Sequence, residues 1–221
     1  MKKILRVSCS PRGQDAESYR LSQKIVGLLQ REDPTAILVD RVIGDGALPH
    51  VDADYAMSQG SSVDIPHGES IALSDKLIQE LESADVLVIA TPMHNFTVPS
   101  MLKAWIDHVV RARRTFNVTP AGKVGLLRDR PIFVAIASGG RFSGERARQP
   151  DFLTPYLKAV LGIIGLHDLT FFSVQGTGSS PEAVAETRIQ TDRALQDYFS
   201  SPARAGSAAS STAAPAPAPH A

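Results

Sequence analysis

The most chemically specific stretch of the chain is Thr91-Pro92-Met93-His94-Asn95-Phe96-Thr97-Val98-Pro99-Ser100. Met93 and Phe96 bracket the polar pair His94 and Asn95. One short segment thus offers apolar surface to the faces of a flat heteroaromatic ring, and N–H donors with an amide to its edge. Taken singly, Phe96 reads equally well as core and His94 as a surface loop residue. A second stretch, Ser8 to Leu21, carries hydroxyls at Ser10 and Ser18 on either side of a turn that leads into a helix. The free N–H groups and dipole of a helix start favour an anion, and Arg12 adds a charged donor, so a phosphate suits this loop. The plainer reading makes Ser18 a helix cap and Arg12 a solvated side chain. Asp15 and Glu17 would repel a phosphate unless they point away. A third stretch, Ala137 to Gly144, contains Ser138-Gly139-Gly140, where paired glycines let backbone approach a ligand closely, although turns use Gly-Gly for many other ends.

Several other chemistries are excluded by residue type. The first loop has neither the Gly-Lys-Ser/Thr of a nucleotide P-loop nor the two-glycine start of a dinucleotide fingerprint. A cysteine phosphatase needs an arginine six residues beyond Cys9, where Asp15 stands, and a receiver domain needs an aspartate where this chain has Ala90-Thr91-Pro92. The six histidines, His50, His67, His94, His108, His167 and His220, show no paired ligand spacing with carboxylates, which argues against a metal. His108 and His167 read as helix-surface or helix-end residues.

These loops must be held by regular elements, and the apolar pattern supplies them in two periods. Ile4 to Val7, Ile37 to Val42, Val86 to Ala90, Ile132 to Ala137 and Thr170 to Val174 are short runs rich in β-branched and aromatic residues, and predict strands. Helical spacing falls between them: Leu21 to Leu29, Ile71 to Leu81, Leu102 to Val110, Leu153 to Ile164 and Val184 to Phe199. Val86-Leu87-Val88-Ile89-Ala90 is apolar at every position, as a strand covered on both faces must be. The pattern predicts an α/β three-layer sandwich of the flavodoxin-like kind, a five-stranded parallel sheet of order 2-1-3-4-5 with helices on each face. In such a sheet ligands bind at the carboxyl ends of the strands, which selects the three loops named above. Ser100 is placed to cap the third long helix and Pro181-Glu182 to open the last. Gly44 to Gly68 reads as a long loop, functional or part of an interface. From Ser200 onward the sequence is rich in Ala, Pro and Ser with little apolar bulk, so residues 1–199 are expected to form one domain and 200–221 a disordered tail.

The 23 basic residues balance 23 acidic ones among 221, which gives neither nucleic acid nor an anionic membrane a reason to bind. Cys9 is the single cysteine, so no internal disulfide forms. Arg6 interrupts the N-terminal apolar run, so that run reads as a strand and not as a secretion signal. No apolar stretch reaches the roughly 18 to 20 residues that span a bilayer, and a cytoplasmic location is expected.

With the three loops in hand, the chain resembles the FMN-dependent NADH azoreductases and NAD(P)H quinone reductases of the flavodoxin-like superfamily, from about Lys3 to Phe199. Pro92-Met93-His94-Asn95-Phe96, followed by Leu102-Lys103 and Asp107, is similar to that family's signature, where tyrosine is common in place of His94. Arg114-Thr115-Phe116 and Leu153-Thr154-Pro155-Tyr156-Leu157 add family-like stretches. The resemblance implies that Ser10 and Ala16-Glu17-Ser18 hold the FMN phosphate. It also implies that Pro92 and Met93 to Phe96 contact the isoalloxazine, and that Ser138, Gly139 and Gly140 complete the flavin site. Relatives often have serine where Ala16 stands, so a backbone N–H or Arg12 takes over that contact; they commonly read Ser-Arg-Gly-Gly where this chain reads Ser138-Gly139-Gly140-Arg141. The implied activity is hydride transfer from NADH or NADPH through FMN to quinones or azo compounds by a ping-pong mechanism, in a homodimer. Phe96 and Phe116 are the expected aromatic walls, no acid or base is obligatory, and His94 is a candidate proton donor. Two other readings remain open at this point: a flavodoxin-type electron carrier, and a flavin-free regulatory protein on the same fold.

Overall fold

The computed structural model describes residues 1–60 and 68–201. Its elements run β1 (Lys3–Ser8), a short 3-10 turn (Gly13–Asp15), α1 (Glu17–Glu32), β2 (Ile37–Val42), α2 (Ala53–Gly60), α3 (Gly68–Ser83), β3 (Val86–Pro92) and α4 (Ser100–Val109). There follow β4 (Phe116–Thr119), β5 (Gly122–Gly125), β6 (Ile132–Ser138), α5 (Leu153–Ile163), β7 (Leu169–Gln175) and α6 (Pro181–Ser200). Five strands form a parallel sheet in the order β2-β1-β3-β6-β7. The numbering departs from the expected 2-1-3-4-5 because the chain inserts an antiparallel hairpin, β4-β5, between β3 and β6.

Alternation along the strands splits the core into two layers. Leu5, Val7, Leu87, Ile89, Ile132, Val134 and Ile136 face α3, α4 and α5 in the larger cluster. Ile4, Val86, Val88, Phe133 and Ala135 face α1 and α6 in the smaller. The central strand β3 is buried at six consecutive positions, as its unbroken apolar sequence requires. Arg6 lies in the middle of β1, 4% exposed. Its guanidinium is compensated by Asp40 and donates to Tyr19 Oη at 2.8 Å, with Tyr19's ring 4.2 Å from its carbon.

Four local expectations are corrected. Residues 53–60 of the long segment after β2 are helical, and residues 61–67 of it lie outside the described residues. Ser100 is the first residue of α4 and Pro99 the cap, with no side-chain bond closing the helix start. His108 is fully buried, because the segment before α2 and α2 itself cover that side of α4: its Nε2 lies 3.0 Å from Pro49 O, its ring meets Tyr55 edge-on, and Tyr55 Oη donates to Asp107 O. The last helix runs through Ser200; the expected tail from residue 202 onward lies outside the described residues. No helix of the described residues is long and apolar enough to cross a membrane.

Candidate functional site

The loops after β1, β3 and β6 meet at the carboxyl edge of the sheet, because those three strands are neighbours in it. Cys9 N donates to Ala90 O (2.9 Å) and Met93 N to Ala137 O (2.8 Å), so the strand pairing continues into the loops and fixes their starts. Cys9 itself is buried, and burial pushes its thiol well above the ordinary range, which leaves it inert as a nucleophile.

The first loop turns at Ser10, whose carbonyl accepts from Gly13 N (3.1 Å) and whose Oγ accepts from Arg12 N (3.2 Å). Helix α1 starts at Glu17 with Ala16 as its cap and no side-chain cap bond. Ala16 N is used by Gly13 O and Arg20 N by Ala16 O, so among the described residues the N–H groups of Glu17, Ser18 and Tyr19 have no backbone acceptor. Ser18 does not cap the helix. It is the second helical residue, 1% exposed, and its buried Oγ has no hydrogen-bond partner among the described residues. Such a group costs stability unless something satisfies it. The Glu17 carboxylate is turned toward α6, where Arg188 Nε donates to Oε1 at 2.9 Å. Arg12 is exposed, and its guanidinium has no partner among the described residues. Three open N–H groups, an orphaned hydroxyl, a free guanidinium and a carboxylate facing elsewhere form a donor set that fits a phosphate.

The second loop is a tight hairpin. His94 and Thr97 exchange two backbone bonds of 3.0 Å, and the residues between them, Asn95 (φ 48°) and Phe96 (φ 69°), are both left-handed. Asn tolerates that region; a bulky aromatic adopts it rarely and at a cost. Met93 is 8% exposed beneath the turn, whereas His94 and Asn95 are exposed above it and Phe96 is 44% exposed. Phe96 O accepts from Phe152 N (3.0 Å), which ties the crest to the start of α5 and adds a second exposed ring at Phe152. On α4, Lys103 and Asp107 form an i,i+4 ion pair of 2.5 Å.

In the third loop the carbonyls of Ser138, Gly139 and Gly140 accept from the N–H groups of Thr177, Gly178 and Gly176 at 3.0 to 3.2 Å, so the turn after β7 clamps it. Gln149 is the main residue that sequence reasoning missed. Its Nε2 donates to Ser138 Oγ (3.0 Å) and Met93 Sδ (3.2 Å), joining two of the loops, and its Oε1 would stand 2.2 Å from a Cβ at Gly140. Gly44 was likewise not singled out, yet a Cβ there would stand 2.1 Å from Ser10 O. Neither has a local signal, since both act through residues distant in sequence. Phe116 lies in the larger core cluster, 8% exposed with Lys123 Nζ over its ring, so within one chain it is enclosed, whereas Phe96 and Phe152 are exposed. A cavity of about 440 Å³ lies between β7, α6 and residues 141–146; its lining takes in Arg141, Ser143 and Gly144 at the far end of the third loop but no residue of the other two.

Fold and site together define a flavodoxin-like α/β protein with a donor-rich helix start and an aromatic crest at the sheet's carboxyl edge. The family model for a flavodoxin-like fold matches residues 2–199. The chain is 48% identical over 197 residues, 88% of this chain and 94% of the relative, to FMN-dependent NADH:quinone oxidoreductase 4 of Pseudomonas fluorescens. It is 44% identical over 86% of this chain and 93% of the relative to FMN-dependent NADH:quinone oxidoreductase 5 of Burkholderia lata. Among solved structures, an azoreductase from Bacillus anthracis superposes with a TM-score of 0.77 at 26% identity, covering 90% of this chain and 99% of that one. An FMN-dependent NADH-azoreductase from the same species, in complex with FMN, gives 0.72 at 25% identity over 90% of this chain and all of that one. The chain belongs to the flavodoxin-like family that contains these oxidoreductases, and it is an oxidoreductase.

Proposed function

We propose that the protein binds FMN and transfers a hydride from NADH or NADPH through it to quinones or azo compounds in a ping-pong cycle. The observation that carries this reading is the start of α1, where among the described residues three N–H groups have no backbone acceptor and the buried Ser18 hydroxyl no partner, while Glu17 pairs with Arg188. FMN, when bound, supplies the two-electron chemistry, being reduced by the nicotinamide and reoxidised by the acceptor. Ser10, Arg12, the N–H groups of Glu17, Ser18 and Tyr19 and the Ser18 hydroxyl would hold its phosphate, whereas Ala16, whose N–H is taken by Gly13 O, only caps the helix. Pro92, Met93, His94, Asn95 and Phe96 would contact its ring, and Ser138, Gly139 and Gly140 would complete the site. Phe96 stacks the acceptor and excludes water, and His94 donates a proton to the reduced acceptor.

The names and FMN-bound structure of the relatives support the cofactor, the donor and the acceptor class. Exposed Val118, Val124 and Leu126 on and beside the β4-β5 hairpin support a homodimer, since a second copy would cover them and bring the hairpin bearing Phe116 to a neighbouring crest. The test is the absorption spectrum of the purified protein, followed anaerobically as NADH and then NADPH are added, and then a quinone. Flavin bands that bleach with the nucleotide and return with the quinone are expected. A colourless protein that takes up no added FMN refutes the flavin reading, and bands that nicotinamides leave unchanged point to an electron carrier.

A further inference from the structure

A carboxylate on the first residue of a phosphate-binding helix start is an electrostatic liability. Glu17 supplies one of the three open N–H groups of α1, and its own side chain, if free, would stand within a few ångströms of the dianion those groups receive. A residue 171 positions away removes that conflict. Arg188 of α6 donates through Nε to Glu17 Oε1 (2.9 Å) and through Nη2 to Oε2 (2.5 Å), engaging both carboxylate oxygens in a fork. Glu17's side chain is 14% exposed and Arg188's 41%. Arg20, one turn along α1, adds a looser contact of 3.8 Å to the same carboxylate. Further along the seam Lys24 pairs with Asp192 at 2.6 Å, so the cavity of about 200 Å³ between α1 and α6 is lined by three cations against two carboxylates.

We propose that Arg188 is a positioning residue for the cofactor phosphate. It clamps both oxygens of Glu17, turns that carboxylate away from the α1 N-terminus and offsets its charge, leaving the N–H groups and the Ser18 hydroxyl to the phosphate. The inference rests on the phosphate reading of this helix start. As a contributor to stability a half-exposed pair of this kind counts for little; its effect is on what the neighbouring helix start can bind.

The test is the dissociation constant of FMN and of riboflavin, which lacks the phosphate, for apoprotein of the wild type, Arg188→Met and the double variant Glu17→Gln/Arg188→Met, from flavin fluorescence quenching at low and high salt. Arg188→Met weakens FMN about tenfold at low salt, the size of one unscreened like-charge contact, and less at high salt. Riboflavin binding is unchanged, and the double variant returns to within about threefold of wild type for FMN. An Arg188→Met protein that binds FMN like wild type overturns the inference. So does one that loses FMN and riboflavin alike, or a double variant as weak as the single, since each marks a merely structural clamp. A wild-type chain that takes up no FMN removes the phosphate reading itself, and the inference with it.

Discussion

Gly44→Ala isolates how far the site depends on one close approach of backbone to backbone. Ser8 O accepts from both Ile43 N (2.9 Å) and Gly44 N (3.1 Å), which draws the exit of β2 against the loop after β1. A Cβ at Gly44 would stand 2.1 Å from Ser10 O, 2.4 Å from Ser10 C and 2.8 Å from Ser10 N. All three are backbone atoms, so no rotamer change relieves the contact, and the Ser10 carbonyl must retreat by roughly 1.3 Å or more to reach ordinary van der Waals distance. Overpacking of this kind costs about 1–3 kcal/mol, and for a chain of this size each kcal/mol lowers Tm by about 2–4 °C, so a fall of roughly 2–12 °C is expected in thermal unfolding of the apoprotein. Because the displaced peptide carries a proposed phosphate ligand, FMN affinity falls by about 10- to 100-fold in a fluorescence titration. Gly27→Ala is the control: it lies inside α1 with nothing within 4 Å of a new Cβ, and should gain about 0.5–1 kcal/mol. A Gly44→Ala protein with wild-type Tm and wild-type FMN affinity would refute the reasoning.

Ser18→Ala removes a buried hydroxyl that nothing in the apoprotein satisfies, so apoprotein stability should hold or rise by about 1 kcal/mol while FMN, but not riboflavin, binds about tenfold more weakly; a loss of apoprotein stability in denaturant titration would contradict this. His94→Phe keeps FMN binding and lowers steady-state turnover with quinone by about 10- to 100-fold if the imidazole donates a proton; near-normal turnover with flavin bound removes that role. For Asp85, burial favours the neutral acid, but donation from Lys3 N (2.9 Å) and Arg128 (3.1 Å) outweighs it and holds the carboxyl below its usual range. A depressed folded value means that its contribution is fully present above the unfolded value of about 3.9 and is lost as pH falls through the lower folded value. Asp85→Asn should therefore be less stable than wild type near neutrality and converge with it in acid, as urea unfolding across that range will show.

The sheet was legible in sequence because its strands are buried on both faces, and a run such as Val86 to Ala90 is apolar at every position for that reason alone. The hairpin escaped notice because its strands are four residues each and their ladder is exposed, so Asn117, Val118, Lys123 and Val124 carry no inside–outside pattern. Helix α2 buries Tyr55 among mostly exposed residues and follows a segment rich in turn formers, which masked it. His108 stands in the last turn of α4, as one of its two readings had it, but not on the surface, because sequence cannot show that the segment around Pro49 folds back over α4. The strand-end rule picked out the three loops from the order of the strands alone, although partners distant in sequence hold much of their geometry. Gln149, Gly44 and Arg188 work only through tertiary partners, and no local pattern announces them.

Phe96 shows how a local rule broken in sequence can point to function. A two-residue turn with both central residues left-handed favours Asn-Gly, because glycine alone takes the second position without steric cost. Here that turn reads Asn95-Phe96, closed by the two bonds between His94 and Thr97. The left-handed backbone costs Phe96 on the order of 1–2 kcal/mol, and its ring, 44% exposed, regains only part of the burial that a core phenylalanine would. Local stability therefore gives no reason to prefer phenylalanine over glycine there. Phe152 N binds Phe96 O and helps hold the strained peptide in place. An aromatic face is thus kept at the crest of the sheet, above Met93, against the preference of the turn that carries it. Among the roles open to that ring, stacking on a flat ligand is the one that accounts for both its strain and its exposure.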